Sequence, residues 1–237
     1  MVLWSATKCS GAGATAKLAV VAKRVLHDRY FRQAKREGYL ARSAYKLLEL
    51  DERRRLIEPG DWVLDLGCAP GSWLQIASER VGPDGLVVGI DLKPSSPTLE
   101  RSIKTVVGDF LETSARELLP GPNERFDLVM SDMAPNTSGH GDHFRSVRLC
   151  EAVVDRLDEF LTRGGRCVMK VFEGEALPDL IKRCRAAFDD VSVLKPRASR
   201  DVSKETFIIG RGYRPGRAGR TKRSTSGPPQ PVEGWST

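Results

Sequence analysis

Three aspartates close short apolar runs in the first half of the chain: Asp65 in WVLDLG, Asp91 in LVVGID and Asp109 in VVGDF. After Asp65 comes a turn of small residues, Gly67-Cys68-Ala69-Pro70-Gly71, which opens a helix carrying Trp73 and lets a ligand lie against the backbone. This is not a pyrophosphate cradle, which needs G-x-G-x-x-G, and Pro70 removes an amide that a phosphate would use. A ligand with an amino acid, a ribose and an adenine but no phosphate fits better, which points to S-adenosylmethionine rather than NAD. Asp91 follows the turn at about the ~20-residue spacing of a ribose-binding carboxylate and can accept both ribose hydroxyls. Asp109 is suited to accept from an adenine amino group, with the Phe110 ring beside it. The expected cofactor contacts are therefore Asp65, Gly67, Ala69, Pro70, Gly71, Trp73, Asp91, Asp109 and Phe110.

Such residues need a frame that brings strand ends to one edge. Apolar runs predict strands near 62–66, 86–91, 103–107, 126–131, 165–172, 190–195 and 205–210. Helical patterns at 29–36, 43–55, 72–80, 112–118, 144–162 and 176–187 precede or alternate with them. The helix over 144–162 places Val147, Cys150, Val154, Leu157 and Leu161 on one face. The alternation implies an α/β fold, a mainly parallel seven-stranded sheet covered by helices on both faces, with ligands above the carboxyl ends of the strands.

The chain has 237 residues and a formal charge of +7, enough for one α/β core with appendages. Residues 1–27 lack Asp and Glu and read as a flexible basic arm, a composition shared with organellar transit peptides. The expected α/β domain spans 28–211, and the Gly-, Pro-, Ser- and Arg-rich stretch 212–237 reads as a disordered tail. Basic residues cluster before the first strand, where Arg32, Lys35, Arg36 and Arg42 are interleaved with Tyr30, Phe31, Tyr39 and Tyr45. That pattern suits a polyanion, with cations on phosphates and rings available to stack on bases, so the segment is a candidate RNA platform. The five cysteines are odd in number, lack C-x-x-C spacing and read as small apolar residues in a reducing compartment, with no metal. No run approaches the ~18 apolar residues of a membrane span, so a soluble cytoplasmic protein without membrane contact is expected.

The segments DLGCAPGSWLQ, GIDLKP, GDF, SDMAPNTSGH, VMKVF and KPRASRDVSKETFIIG, preceded by YFRQAKREGYLARSAYKLLELDE, closely resemble the FtsJ or RrmJ type of ribosomal RNA 2′-O-ribose methyltransferase. The resemblance runs from Asp28 to Tyr213 and is most specific in SDMAPN and in the R-S-A-Y-K-L helix. It implies a Rossmann-like class I methyltransferase fold with a reversed final strand, S-adenosylmethionine as donor, and a Lys-Asp-Lys-Glu catalytic set that falls on Lys46, Asp132, Lys170 and Glu205. It also implies a large-subunit ribosomal RNA substrate, a uridine within a ribosomal particle, and a monomeric enzyme. Asp28-Arg29-Tyr30 stands where the family often has Asp-Pro-Tyr, and Cys68 replaces a more usual small residue.

The chemistry of those four residues is coherent. A ribose 2′-OH is a poor nucleophile, whereas a sulfonium methyl is already activated, so the enzyme must mainly align the reacting atoms and draw off a proton. A lysine near another lysine loses its proton more readily. Lys170 is the expected base, Asp132 holds it and faces the methyl as a cofactor contact, Lys46 assists, and Glu205 anchors a lysine. His140 and His143 read as substrate-loop or structural residues rather than metal ligands. The alternatives are an enzyme of the same fold acting on tRNA or an mRNA cap, and a non-catalytic RNA-binding assembly factor. The latter would be expected to have lost a lysine or the cofactor turn.

Overall fold

Strand ends and a helix-covered sheet are what the site requires, and both are present in a computed structural model that describes residues 29–96, 99, 102–135, 141–199 and 203–217. The expected features on residues 1–28, His140, and the tail beyond 217 lie outside the described residues. The sheet contains β1 (Trp62–Leu66), β2 (Leu86–Asp91), β3 (Ile103–Val107), β4 (Phe126–Ser131), β5 (Leu161–Phe172), β6 (Phe188–Leu194) and β7 (Glu205–Tyr213) in the order β3-β2-β1-β4-β5-β7-β6. Neighbours from β3 to β5 are parallel, and β7 runs antiparallel to both β5 and β6. The helices are α1 over 29–37, α2 (Ala44–Arg54), α3 (Ser72–Val81), α4 (Ala115–Leu118), α5 (Asp142–Phe160) and α6 (Leu177–Ala187).

Successive strand residues point to opposite faces, so burial of both faces demands uninterrupted apolar runs. Val63, Val87, Leu128, Val168 and Ile209 pack against α2 and α3 through Leu47, Leu50, Leu74 and Ile76. On the other face Leu64, Val88, Val129 and Met169 meet Val147, Val153, Val154 and Leu157 of α5 and Leu180 and Cys184 of α6. The predicted α5 stripe is buried, although Leu161 belongs to β5 rather than to the helix. Cys68, Cys150, Cys167 and Cys184 are buried free thiols, and burial pushes those of Cys68 and Cys184 up to about 12.

Three boundaries differ from expectation by more than two residues. β5 begins at Leu161, pairs there with Phe126, and slips register before Arg166 pairs with Leu128. Gly164, at φ +80°, and Gly165 form that irregularity; read in sequence, they mimic a strand start. The helix expected over 112–118 shrinks to Ala115–Leu118 because Ser114 and Glu117 close a capping box there. The tail begins later than 212, since Tyr213 completes β7, is buried, and donates to Asp158 at 2.8 Å.

Candidate active site

The sheet changes direction of winding between β1 and β4, and ligands of open α/β sheets lie in the crevice above such a point. A cleft of about 230 Å³ opens there, lined by Gly67, Ala69, Asp91, Asp109, Phe110 and Asp132 from the expected set. Gly67 has φ +78°, and a Cβ on it would lie 2.8 Å from Met133 Cγ, so only glycine lets the β1–α3 turn close under the β4 end. Both Asp91 oxygens are fixed by the backbone: Ala69 N–H donates to Oδ2 and Lys93 N–H to Oδ1, each at 2.9 Å. Asp109 accepts from Leu111 N–H at 2.8 Å, and its carbonyl accepts from Thr113 N–H and Oγ. Carboxylates held this way present their remaining lone pairs to a ligand bearing hydroxyl and amino donors.

The other expected cofactor residues lie behind this wall. Trp73 is buried, donates Nε1–H to the Ser43 carbonyl at 2.9 Å and packs 6.0 Å from the Phe207 ring, so it braces α3 against α2 instead of facing the cleft. Pro70 and Gly71 shape the turn but do not line the cleft. Asp65 is fully buried beneath the floor, and neither carboxylate oxygen has a hydrogen-bond partner among the described residues. Burial above all, with Asp132 and Asp91 close by, pushes its carboxyl well above the ordinary 3.8. The sequence reading missed Met133, Ala134, Leu149, Leu92 and Leu111 on the cleft wall. Met133 and Ala134 stood within SDMAPN, and Leu149 flanks the apolar stripe of α5.

Beside the cleft the structure brings Lys46, Asp132, Lys170 and Glu205 together as two ion pairs. Lys170 Nζ lies 2.8 Å from Asp132 Oδ1 and also donates to the Asp132 carbonyl. Lys46 Nζ donates to Glu205 Oε2 at 2.9 Å and sits 5.9 Å from the centre of the Phe207 ring. Both lysines are more than nine-tenths buried. The reversed β7 makes this possible: Glu205 opens β7 opposite Phe172, while Lys170 pairs with Phe207, so the start of one strand meets the end of the other. Burial pushes the Glu205 carboxyl up, but the Lys46 charge and hydrogen bond, aided by the Lys170 charge and Ser203, outweigh it and hold it below the usual range. The Lys170 charge therefore reaches Glu205, and the two pairs form one electrostatic cluster.

On α1, Arg32, Lys35 and Arg36 are exposed, and Arg42 is half-buried in the following turn. Three of the four aromatics there pack on one another: Tyr45 lies 5.5 Å from Tyr30 and 5.9 Å from Tyr39, and donates to Glu37 at 2.8 Å. Only Phe31, 59% exposed, keeps its ring outside that cluster. His143 stacks 4.1 Å from Phe144 at the start of α5. Among the described residues no group of three or more His, Cys, Asp or Glu side chains is arranged to hold a metal ion, and no helix is long and apolar enough to cross a membrane.

Residues 39–213 match the FtsJ-like methyltransferase family. Ribosomal RNA large subunit methyltransferase E of Azoarcus sp. (strain BH72) is 45% identical over 189 residues, covering 78% of this chain and 91% of the relative. A solved Plasmodium falciparum protein designated a ribosomal RNA methyltransferase superposes with a TM-score of 0.66 at 25% identity, over 74% of this chain and 98% of that one. Aeropyrum pernix fibrillarin, solved with natively bound S-adenosyl-L-methionine, shares the fold at a TM-score of 0.52 and 23% identity, over 71% and 76% of the two chains. With the family match spanning most of the chain and two lysine–carboxylate pairs beside a carboxylate-lined cleft, the chain belongs to the FtsJ-like methyltransferase family.

Proposed function

We propose that this protein transfers the methyl group of S-adenosylmethionine to the 2′-hydroxyl of a ribose in large-subunit ribosomal RNA, at a uridine. The pairing of Lys170 with Asp132 at the rim of the cleft carries the reading. Asp91 and Asp109 offer acceptors for ribose hydroxyls and an adenine amino group, and the absence of a phosphate cradle suits a nucleoside cofactor. Bound there, the cofactor supplies a methyl activated by its sulfonium. After giving up its ion-paired proton to solvent, the neutral Lys170 amine orients the 2′-hydroxyl and takes its proton as the oxygen gains the methyl and S-adenosylhomocysteine leaves, which restores the ammonium that the Asp132 carboxylate and carbonyl hold. Lys46, anchored by Glu205, keeps a second positive charge next to the acceptor oxygen.

α1 supports the RNA half of the reading, because Arg32, Lys35 and Arg36 form an exposed cationic face and Phe31 offers a ring. The relatives' name favours ribosomal RNA over tRNA or an mRNA cap. Retention of all four catalytic residues and the cofactor turn disfavours a non-catalytic assembly factor. We read the substrate as an assembled large-subunit particle and the enzyme as a cytoplasmic monomer. Mapping 2′-O-methylation across all RNA in a deletion strain tests the proposal: loss at one large-subunit ribosomal uridine is expected, and loss confined to tRNA or mRNA would redirect it.

A further inference from the structure

The loop after β3 carries Asp109 and Phe110 into the cleft, and a loop cannot rely on sheet pairing to stay in place. Its outer side is held by Arg156 of α5. The Arg156 guanidinium donates to the Phe110 carbonyl through Nη1 and to the Thr113 carbonyl through Nη2 at 3.0 Å. Its Nη2 also reaches Glu159 Oε2 at 2.8 Å, which fixes the plane of the fork. The same plane lies 4.7 Å from the Phe110 ring centre and 4.9 Å from that of Phe160, and the two rings are 5.7 Å apart. The side chain is 16% exposed, so these contacts are made with little competition from water.

We propose that Arg156 is the positioning residue for the adenine end of the cofactor site: it locks the loop bearing Asp109 and Phe110 in the conformation that reads the base. The inference rests on the assignment of Asp109 and Phe110 to the adenine. Only an arginine can do this, because a planar fork spans two carbonyls while its face stacks on an aromatic ring, and a lysine offers neither. The same helix also fixes the catalytic strand, where Ser146 Oγ accepts from Phe172 N–H at 3.0 Å and Cys150 Sγ–H donates to the Lys170 carbonyl at 3.1 Å. α5 thus carries both halves of the site, with Arg156 serving the cofactor half alone.

The test compares wild type, Arg156→Lys, Arg156→Met and Glu159→Gln by calorimetry and steady-state kinetics. The probes are S-adenosylhomocysteine and its inosine analogue, which lacks the 6-amino group. Arg156→Met should weaken S-adenosylhomocysteine binding and raise the cofactor KM about tenfold while kcat and the RNA KM stay within about twofold. It should also lose most of the preference for adenine over hypoxanthine, because a loose loop no longer discriminates. Arg156→Lys should match Met rather than wild type, and Glu159→Gln should show a smaller loss of the same kind, which preserves the test if Met at 156 unfolds the protein. Equal weakening of both probes, or an unchanged cofactor KM in the folded variants, would overturn the proposal. A wild type that binds both probes equally would instead refute the adenine assignment itself.

Discussion

Chemistry in this protein is concentrated in side chains whose surroundings fix their direction. Lys170 and Asp132 form a largely buried pair, so removing either leaves its partner unmatched as well as removing a member of the proposed catalytic set. Lys170→Ala and Asp132→Ala should each lower kcat by about 10²–10⁴-fold with cofactor affinity within a fewfold, read by single-turnover methyl transfer and calorimetry. Glu205→Ala should cost less, because Glu205 acts through Lys46. Asp65 makes a separate prediction about stability. Its carboxyl is raised above 3.8 in the fold, so the stability tied to its protonated state is fully present below that value and is lost as pH climbs through the folded pKa. Asp65→Asn should therefore gain on wild type in urea denaturation of the free protein as pH rises above the ordinary 3.8, by up to roughly 1.4 kcal/mol per pH unit. A difference that stays flat with pH would show that Asp65 carries no such linkage. Asp91 and Asp109 were legible in the sequence because an acid ending an apolar run is a simple signal. Arg156 was not, since nothing in a helix-surface arginine reveals that it reaches a carbonyl 46 residues earlier.

Elements meet the site through close approaches that sequence shows only in part. Alternation of apolar runs and helical stripes disclosed the seven strands, and the resemblance to a known family implied the reversed last one. The start of β5 stayed hidden because the register slip at Gly164 and Gly165 resembles a turn when read as sequence. Cys68, the unusual residue of the cofactor turn, is accommodated by Gly89 on β2, where an added Cβ would fall 2.8 Å from Cys68 Sγ and 2.9 Å from Leu74. Gly89→Ala should cost about 1–3 kcal/mol in unfolding free energy. Combining it with Cys68→Ala should recover part of that loss, with Leu74 and the Cβ at 68 retaining the remainder, and a double-mutant cycle measures the coupling. Strict additivity of the two changes would contradict the packing described.

The molecule as a whole combines a carboxylate-lined cleft at the ends of β1 to β4 with an exposed cationic α1 packed on α2, the helix that carries Lys46. Net charge pointed to a polyanion, but three of the four aromatics interleaved with those cations pack on one another between α1 and α2. Periodicity alone does not separate a ring that stacks on a base from one that packs on a neighbour. Charge reversal at Arg32, Lys35 and Arg36 should raise the RNA KM and flatten the log–log salt dependence of binding by roughly 0.7 per lost phosphate contact, with cofactor affinity unchanged. An unchanged salt slope would place the RNA surface elsewhere. The central claim is that a ribose hydroxyl, activated at Lys170, receives the methyl. It is tested most directly by supplying methyl-labelled S-adenosylmethionine with large-subunit ribosomal RNA and with the same RNA made 2′-deoxy at the labelled position. Label on a ribose oxygen of the first RNA and none on the second is the predicted result; label on a base, or equal label on the deoxy RNA, would contradict the account.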